Sequence, residues 1–465
     1  MRTTSKALVA ILAFSLAALG VYRFVAPPPP PPAVTTSLQD GTDVAALDVS
    51  SALRRPSEEL LDTAFRQVQE HYYKPFQTQA LLDGERKELS AYFKAHHVAN
   101  PRYPDEQMSG DRLHDENLLN RTLLAAEGAA GAGQGSELTQ VAIRGMMSSL
   151  GDPYTTYLSP HEIAALEESL RGGDFGGIGV YIVQDAKTKQ ILVDPIEGLP
   201  ADRAGVKPGD EVLAVDGVSA AGLSLDQVEH EIRGPKGTLV RLLLRAHAGG
   251  ALRTVAVTRG QIVVPSVHAK MEDGFEYVRL LDFGQTSYDE VRKAMLDGKQ
   301  RGAKGYILDL RNNGGGLLEA AVQISSLFIP DGTIVTQIDR DGNRETRTST
   351  RESIGASPLV ILVNKYTASA SEITAGAVQD YKAGTLIGTK TFGKGVVQSI
   401  YNMRDGGALK ITTARYVTPT GRDIHHKGIV PDIPVDQPIE PTIIDSPKDE
   451  QLAVAKDYLR RVARR

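Results

Sequence analysis

The spacing of apolar residues changes along the chain, and each spacing predicts a different kind of element. In residues 57–73 and 138–150, apolar residues recur every three or four positions, which predicts amphipathic helices. Beyond Gly260 the pattern becomes short unbroken apolar runs, such as Leu359–Val363, which alternate with helical segments. Such runs are typical of buried parallel strands. We therefore predict a helical N-terminal module and an α/β core.

Between these two regions, residues 172–260 are rich in β-branched residues and glycine. A glycine-rich loop opens this segment, a Gly-Asp-Glu-Val-Leu-Ala-Val-Asp-Gly hairpin ends at Gly217, and Arg233-Gly-Pro-Lys-Gly-Thr follows a short helical stretch. These features, in this order, resemble a PDZ domain. The resemblance implies a β-rich domain inserted into the chain that binds the C-terminal tails of proteins.

A tail-binding site can be placed within this segment. A glycine loop leading into a strand can direct backbone amides at a terminal carboxylate, and the strand edge accepts an extended peptide. The residues expected at this site are Gly177, Ile178, Gly179 and Val180, with Arg233 as a charge anchor. The alternative is that the glycines only form turns and that Arg233 caps the preceding helix.

The N-terminus has the layout of an export signal. Arg2 and Lys6 precede an apolar run at residues 7–22, which as a helix would be about 24 Å long, shorter than a hydrocarbon core of about 30 Å. We predict that residues 1–26 are either a cleaved signal peptide or an N-terminal membrane anchor, with a buried globular helix as the alternative. Either export form places the body outside the cytoplasm, in the periplasm, cell envelope or a lumen.

The remaining boundaries follow from composition. The six prolines Pro27 to Pro32 begin a proline-rich linker, residues 27–52, expected to be stiff. The helical module spans residues 53–171 and includes a polar and Gly/Ala-rich stretch, about residues 100–136, predicted as a flexible insertion. The core spans residues 261–437, and residues 438–465 form a helical tail. This tail is expected to dock on the body, with dimer contact, and so a homo-oligomer, as the alternative.

Composition excludes several kinds of chemistry. The 465 residues include no cysteine, which removes disulfides, thiolate metal sites and a cysteine nucleophile. The formal net charge is −5, so we expect no nucleic-acid partner. His161-Glu162 begins a zinc-protease motif, but Ala165 stands where the second histidine belongs. We predict neither a metal nor another cofactor.

Ser369 lies in a run of small residues ahead of a predicted helix. Ser369-Ala-Ser-Glu372 matches a capping box, and taken alone this serine is best explained as a helix cap. The small neighbours, however, leave a hydroxyl accessible, and the amide of Ala370 faces the place where an oxyanion would form. The more specific hypothesis is that Ser369 acts as a nucleophile.

Lys394 lies in the segment Gly393-Lys-Gly-Val-Val-Gln398, 25 residues after Ser369. Most lysines are solvated, and this one could act as a base only if burial lowered its pKa from about 10.4 toward 7. The neighbours Phe392, Val396 and Val397 could supply apolar cover. Gln398 could orient the amine without adding an acid that keeps it protonated.

A third feature is the corner Asp309-Leu-Arg-Asn-Asn-Gly-Gly-Gly-Leu317, between a predicted strand and a predicted helix. Its backbone amides could donate to an anion, either an oxyanion or a phosphate. Neither a dinucleotide fingerprint nor a P-loop motif is present.

Together these segments resemble the C-terminal processing peptidases, or tail-specific proteases, over about residues 138–435. The matching motifs also include Gly-Asp-Pro-Tyr-Thr-Thr-Tyr at 151–157 and Gly-Ile-Val-Pro-Asp at 428–432. The resemblance implies a crotonase-like protease core interrupted by the PDZ domain. It also implies a serine endopeptidase acting on protein or peptide substrates with free C-termini.

The resemblance assigns roles to individual residues. It implies Ser369 as nucleophile, Lys394 as general base and Gln398 as the third member of the site. The implied oxyanion donors are the amides of Ala370 and of Gly315 or Gly316. Two alternatives remain: a histidine-dependent hydrolase that uses His425 or His426, and an inactive scaffold that only binds exported proteins.

Overall fold

A computed structural model describes residues 20–25 and 54–463, apart from residues 132, 171–174, 185–187, 189, 197, 224, 247–249, 263–265 and 439–442. The predicted linker, residues 27–52, lies outside the described residues, as does most of the predicted signal or anchor at residues 1–26. Within the described ranges, no helix combines the length and the apolar character needed to cross a membrane.

The helices are α1 (Pro56–His71), α2 (Gln79–Ala95), α3 (Arg112–Ala130), α4 (Gly135–Ser148), α5 (Pro160–Leu170), α6 (Pro200–Arg203), α7 (Leu225–Ile232), α8 (Ser287–Gln300), α9 (Leu318–Ser326), α10 (Ala370–Asp380) and α11 (Glu450–Val462).

The strands before the core are β1 (Gly20–Val25), β2 (Thr156–Leu158), β3 (Phe175–Gly177), β4 (Val180–Gln184), β5 (Ile191–Pro195), β6 (Asp210–Val215), β7 (Val218–Ser219), β8 (Leu239–Arg245), β9 (Leu252–Thr258) and β10 (Gly260–Ile262). Those of the core are β11 (Val267–Glu272), β12 (Phe275–Leu280), β13 (Tyr306–Asp309), β14 (Gly315–Leu317), β15 (Thr333–Ile338), β16 (Arg344–Thr348), β17 (Leu359–Val363), β18 (Thr385–Gly388), β19 (Val396–Asn402), β20 (Ala408–Val417) and β21 (Ile433–Pro434).

Helices α1 to α4 share one apolar core, which continues onto the outer side of β20 through Leu409 and Ile411. Helices α2 and α4 cross closely at Gly84 and Gly145. A Cβ atom added to Gly84 would lie 2.3 Å from the carbonyl oxygen of Gly145, so no larger residue fits at this crossing. Helix α4 leads directly into the loop that carries Asp152 and Tyr154 to the core.

The expectation of a flexible insertion at residues 100–136 is wrong for most of this stretch. Residues Arg112–Ala130 form α3, whose Asp111 cap accepts the amide of His114 at 2.9 Å. Leu118, Leu119 and Leu123 of α3 are fully buried against the neighbouring helices. The start of the Gly/Ala-rich stretch, residues 127–130, is the last turn of this helix.

Residues 175–262 contain the predicted β-rich domain. Its main sheet has the order β4-β5-β6-β8-β9, so β4 is an edge strand, and helix α7 packs beside it. Strands β3 and β10 pair antiparallel where the chain enters and leaves this domain. An apolar core that includes Val193, Val212 and Leu242 lies between the sheet and the two helices α6 and α7.

The core contains two sheets that enclose helices. In the first sheet, β11-β12-β13-β17-β18-β21, every pair from β12 to β21 is parallel. All five side chains of β17 are buried, as the unbroken apolar run Leu359–Val363 predicts. The second sheet has the order β14-β1-β19-β20-β15-β16, with β2 added to β20. Helices α9 and α10 lie against both sheets.

Residues 20–25, at the end of the predicted export segment, form strand β1 in the second sheet. Strand β1 is parallel to both of its neighbours, pairing Gly20 with Gly315 of β14 and Tyr22 with Gln398 of β19. A helical signal or anchor was expected to extend through this point. The segment instead supplies an extended strand inside the core sheet.

The C-terminal helix α11 docks on the first sheet through Leu452, Ala455 and Leu459. Its cap, Asp449, accepts the amide of Leu452 at 3.0 Å and also binds the buried guanidinium of Arg311. Arg311 in turn binds Asp309 at the end of β13. The tail is thereby fixed to the glycine corner that follows β13.

Candidate active site

Ser369 is the residue immediately before α10, and its backbone is unusual. Its φ is 60° and its ψ is −117°, a conformation that an L-residue adopts only under constraint. The hydroxyl does not cap the helix. Within the described ranges, Ser369 Oγ is buried and has no hydrogen-bond partner, while the amide of Glu372 donates to the carbonyl oxygen of Ser369 at 2.8 Å. The serine hydroxyl is therefore left free for another role.

Lys394 is almost completely buried, with an exposed fraction of 1%. Its Nζ lies 4.0 Å from the centre of the Tyr154 ring, which the loop after α4 carries. Val396 and Val397 are buried nearby as expected, but Phe392 is exposed. The aromatic cover predicted from Phe392 therefore comes from Tyr154, which was not singled out from the sequence.

The surroundings of Lys394 favour its neutral form. Burial lowers the pKa of Lys394 well below the ordinary value of a lysine, and the positive charge of Lys410 lowers it further. The carboxylates of Asp152 and Glu372 oppose this shift. Burial also lowers the pKa of Lys410, which lies on β20. In these surroundings the neutral amine, which can accept a proton, is more available than in an ordinary lysine.

A single carboxylate holds the backbone of both candidate catalytic residues. Glu372 Oε2 accepts the amide of Ser369 at 2.9 Å and the amide of Lys394 at 2.9 Å. Its Oε1 accepts the amide of Gly393 at 2.8 Å and the hydroxyl of Thr391. Burial raises the pKa of Glu372, and these hydrogen bonds counteract the increase. Only donors face this group, as an ionised carboxylate requires.

Tyr416 on β20 links the same two residues from their carbonyl side. Its hydroxyl donates to the carbonyl oxygen of Ser369 at 3.1 Å and to that of Lys394. Burial raises the pKa of Tyr416 well above its ordinary value, so the phenol remains a donor. Two buried side chains therefore fix the segments that carry Ser369 and Lys394 to each other.

Gln398 is also fully buried on β19. Its amide nitrogen donates to Thr412 Oγ1 at 3.3 Å. Its carbonyl oxygen is buried and receives no hydrogen bond from the part of the chain that the structure describes. The carboxamide therefore has a free acceptor in the same interior region as the free serine hydroxyl.

The glycine corner lies directly against the nucleophile candidate. A Cβ atom added to Gly315 would lie 2.8 Å from the Cβ of Ser369 and 3.0 Å from the amide nitrogen of Ala370. The amide of Gly315 is already engaged, since it donates to Asn313 Oδ1 at 2.9 Å. Ala370 begins α10, so its amide has no acceptor within the helix.

Gly316 differs from Gly315 in the direction of its peptide groups. Phe283 donates to the carbonyl of Gly315 at 2.9 Å and accepts the amide of Leu317 at 2.7 Å. Because successive residues of a strand direct these groups to opposite edges, Gly316 directs its own groups away from Phe283. Its φ of 145° and a contact of 2.4 Å between an added Cβ and the carbonyl oxygen of Phe283 leave room for glycine only.

In the inserted domain, the structure separates the candidate tail-binding residues. Gly177 ends β3, Val180 begins the edge strand β4, and Gly179 has a φ of 71° in the turn between them. The side chain of Ile178, however, is 1% exposed and belongs to the domain core. The position of Ile178 beside a bound tail stays a prediction, and any such contact would be made by its backbone because its side chain faces the domain core.

Arg233 does not lie free to anchor a tail either. Its guanidinium pairs with Glu229 of α7 and with Glu168 of α5. Its amide donates to the carbonyl oxygen of Glu229 at 3.0 Å, which ends the helix. The residue therefore connects the inserted domain to α5. Its position at the end of α7 is close to the alternative given above, in which Arg233 caps the preceding helix.

The histidines take structural positions. His425 Nδ1 receives the amide of Gly395 at 3.4 Å, and the two rings of His425 and His426 lie 3.8 Å apart. Neither ring bonds to Ser369 Oγ, which has no partner in the described chain. Glu162 pairs with Arg144, and the described residues contain no group of His, Asp and Glu side chains that could hold a metal.

Comparisons with known proteins agree with this architecture. The profile of peptidase family S41 matches residues 275–435, and a PDZ domain profile matches residues 191–246. A carboxyl-terminal-processing protease of Synechocystis sp. is 42% identical over 330 residues, covering 70% of this chain and 77% of that protein. The carboxy-terminal processing protease CtpA of Bacillus subtilis is 38% identical over 304 residues, covering 65% of each chain.

A solved structure, the photosystem II D1 C-terminal processing protease, aligns with 86% of this chain and 98% of its own at a TM-score of 0.50 and 29% identity. The family profile covers both segments that Glu372 holds together, and the PDZ profile falls within the inserted domain. The chain therefore belongs to peptidase family S41, the carboxyl-terminal-processing proteases, and is a serine-type peptidase with a PDZ domain.

Proposed function

We propose that the protein is an endopeptidase that cleaves exported proteins near their C-termini through a Ser/Lys mechanism. The observation that carries this proposal is the pair of backbone hydrogen bonds from Ser369 and Lys394 to Glu372 Oε2. They fix a free, buried hydroxyl and a buried, deprotonatable amine on two adjoining segments. A nucleophile and a base need this arrangement.

In the proposed reaction, Ser369 Oγ attacks the scissile carbonyl while neutral Lys394 takes its proton. The amides of Ala370 and of Gly315 or Gly316 stabilise the oxyanion; in this structure the amide of Gly315 donates to Asn313, and Gly316 faces β1. Lys394 then protonates the leaving amine. In the second half, Lys394 removes a proton from water, which attacks the acyl-enzyme and releases Ser369.

Gln398 is proposed as the group that orients the amine of Lys394. Its free carbonyl oxygen can accept a hydrogen bond from the amine, while its amide nitrogen is held by Thr412. An amide oxygen has no negative charge. It can therefore direct the amine without raising its pKa as a carboxylate would.

The PDZ domain is proposed to capture the substrate tail at the free edge of β4. The amides in the turn at Gly177 and Gly179 would receive the terminal carboxylate, and the tail would add as a strand beside Val180. Holding one end of the substrate raises its local concentration at Ser369. We also propose an extracytoplasmic location, with residues 1–26 as signal or anchor.

The test uses a peptide with a free apolar C-terminus and the variants Ser369→Ala and Lys394→Met. We expect each variant to lower kcat by about 10³-fold or more, since each removes one member of a unit. Lys390→Met, at an exposed lysine four residues earlier, is the matched control and should cleave at the normal rate. Cleavage retained by both catalytic variants rejects the mechanism, and tail binding without cleavage by the natural chain supports a scaffold.

A further inference from the structure

Strand β1 lies between β14 and β19, and one edge of each of these two strands faces it. One edge of β14 bonds to Phe283, and one edge of β19 pairs with β20. The other edge of each strand faces β1, which pairs with β14 at three positions and with β19 at five. Without β1, the two strands would border a slot one strand wide, with unpaired backbone groups on both sides.

This slot begins at the proposed catalytic site. Gly20, the first residue of β1, pairs with Gly315, and Gly315 packs against Ser369. On the other side, β19 begins two residues after Lys394. A chain in the slot therefore starts between the two segments that carry the nucleophile and the base, and runs away from them along β19.

We propose that this slot binds an extended peptide parallel to β14 and β19, and that residues 20–25 are its resident occupant. The N-terminal segment then competes with the substrate for the same backbone groups. This inference rests on the proposed function in one respect: it assumes that the substrate of the protease binds in this slot. Recognition by strand addition uses main-chain hydrogen bonds, so the slot accepts peptides of many sequences.

The covalent connection makes such competition effective. Residues 26–53 join β1 to the body, so the segment can leave the slot but remains tethered beside it. A covalent connection makes rebinding intramolecular, with an effective concentration on the order of millimolar. An occupant that binds only weakly as a free peptide can therefore fill the slot when it is part of the chain.

The kinetic test changes the backbone of β1 in the full chain, kept in detergent. The double variant Tyr22→Pro and Arg23→Pro removes two successive backbone amides. Because successive amides of a strand point to opposite edges, one is lost on the side of β14 and one on the side of β19. We expect the KM for a tail peptide to fall by about tenfold at constant kcat, as for loss of a tethered competitor. Ala33→Pro with Val34→Pro, the same change outside β1, should leave KM unaltered.

A second measurement needs no catalysis. In full chains that carry Ser369→Ala, hydrogen exchange of residues 396–402 should be faster by about tenfold with the β1 prolines than with the control prolines. Exchange in β17 should be the same in both, which shows that the core remains folded.

Equal exchange of residues 396–402 in the two chains overturns occupancy of the slot, whether or not the protein is a protease. Faster exchange together with an unchanged KM in active chains overturns the competition. If the natural chain and both proline variants cleave no peptide but the exchange difference is present, the proposed function fails and the occupancy stands.

Discussion

At the scale of single residues, Glu372 organises the site without touching a substrate. Its two oxygens accept four donors from two segments: the amide of Ser369, and the hydroxyl of Thr391 with the amides of Gly393 and Lys394. Its negative charge raises the pKa of Lys394, which opposes the deprotonation that catalysis needs. A carboxylate at position 372 therefore has an electrostatic cost for Lys394. It is nevertheless the side chain that suits this position, because no neutral side chain of this size offers as many hydrogen-bond acceptors.

Glu372→Gln should therefore lower kcat more than it changes KM. The amide has one oxygen in place of two and directs an NH2 group at donors, so at least two hydrogen bonds to a charged group are lost, at about 1.5–3 kcal/mol each. We expect kcat to fall by about 10²-fold and the protein to unfold at a lower temperature. Glu319→Gln, an exposed acid in the first turn of α9, is the control. A variant with unchanged kcat would show that Glu372 is not needed for alignment.

Lys410 provides a second residue-scale prediction, about pH. Its positive charge lowers the pKa of Lys394, so Lys410→Met should allow that pKa to rise. Because the proposed base acts when neutral, activity rises with pH through the pKa of Lys394. The acid limb of kcat/KM should move to higher pH in Lys410→Met and stay in place in the exposed-site control Lys390→Met. A limb that moves to lower pH contradicts this electrostatic role.

The sequence indicated part of this site for physical reasons that can be stated. Ser369, Lys394 and Gln398 fall in short motifs whose residue types suit the chemistry, and the structure buries all three. Glu372 was visible only as half of a capping box, and its bond to Lys394 spans 22 residues. Tyr154 and Tyr416 reach the site from distant segments. Local patterns contain no information about such long-range contacts.

At the scale of elements, the C-terminal helix helps to hold the catalytic corner. Arg311 lies two residues after β13 and is 2% exposed, and it binds Asp309 on one side and the α11 cap Asp449 on the other. Gly315 and Gly316 follow it as the first two residues of β14. The helix that covers the first sheet is therefore connected by a buried ion pair to the segment beside Ser369.

Asp449→Asn should destabilise the protein strongly at neutral pH. Removing one partner of a buried ion pair costs about 3–5 kcal/mol, because the other charge stays buried. Burial raises the pKa of Asp449, but the bonds and charge of Arg311 outweigh it and the pKa is lowered. The stabilisation is thus complete above about pH 4, the value of an unfolded carboxyl, and is lost as the pH falls through the lower folded value.

Urea unfolding of the two chains from pH 7 to pH 3 measures this effect. The difference in unfolding free energy should shrink below about pH 4. Asp457→Asn, an exposed acid on the same helix, should change little at any pH. A constant difference across the whole range would mean that the charge of Asp449 is not its source.

Elements with a clear period were the ones that the sequence predicted well. The apolar run Leu359–Val363 forms β17 with those bounds, and the helix predicted after Ser369 is α10 at Ala370–Asp380. Helix α3 was missed because its apolar residues surround it without one clear face and its end is rich in Gly and Ala. Strand β1 was missed because sixteen apolar residues indicate a helix, whereas two neighbouring strand edges impose an extended backbone.

At the scale of the whole molecule, the PDZ domain and the core are separate bodies with separate apolar cores. Strands β3 and β10 pair where the chain enters and leaves the PDZ domain, and Arg233 of this domain pairs with Glu168 of α5. Both charged groups of this pair are partly exposed, and such pairs contribute about 0–1 kcal/mol. Among the described residues, this ion pair therefore adds little to the attachment of the PDZ domain.

If the tail is held at β4, the substrate terminus should matter to KM and not to the chemical step. A peptide ending in a carboxamide should show a KM about tenfold higher than the same peptide with a free carboxylate, at similar kcat. Gly179→Ala should remove this preference, since Gly179 has a φ of 71° and an added Cβ would lie 2.5 Å from Leu199. Equal KM values for the two peptides in the natural chain would contradict tail capture.

The ion pair between Arg311 and Asp449 also determines when, during synthesis of the chain, the catalytic corner can be completed. Synthesis proceeds from the N-terminus, so Ser369 and Lys394 are made before Asp449, which lies 55 residues after Lys394. Until Asp449 arrives, a partly made chain has a buried arginine with only half of its neutralising partners beside the glycine corner. The chain should therefore become an active protease only after Asp449 has been made and α11 has docked on the first sheet.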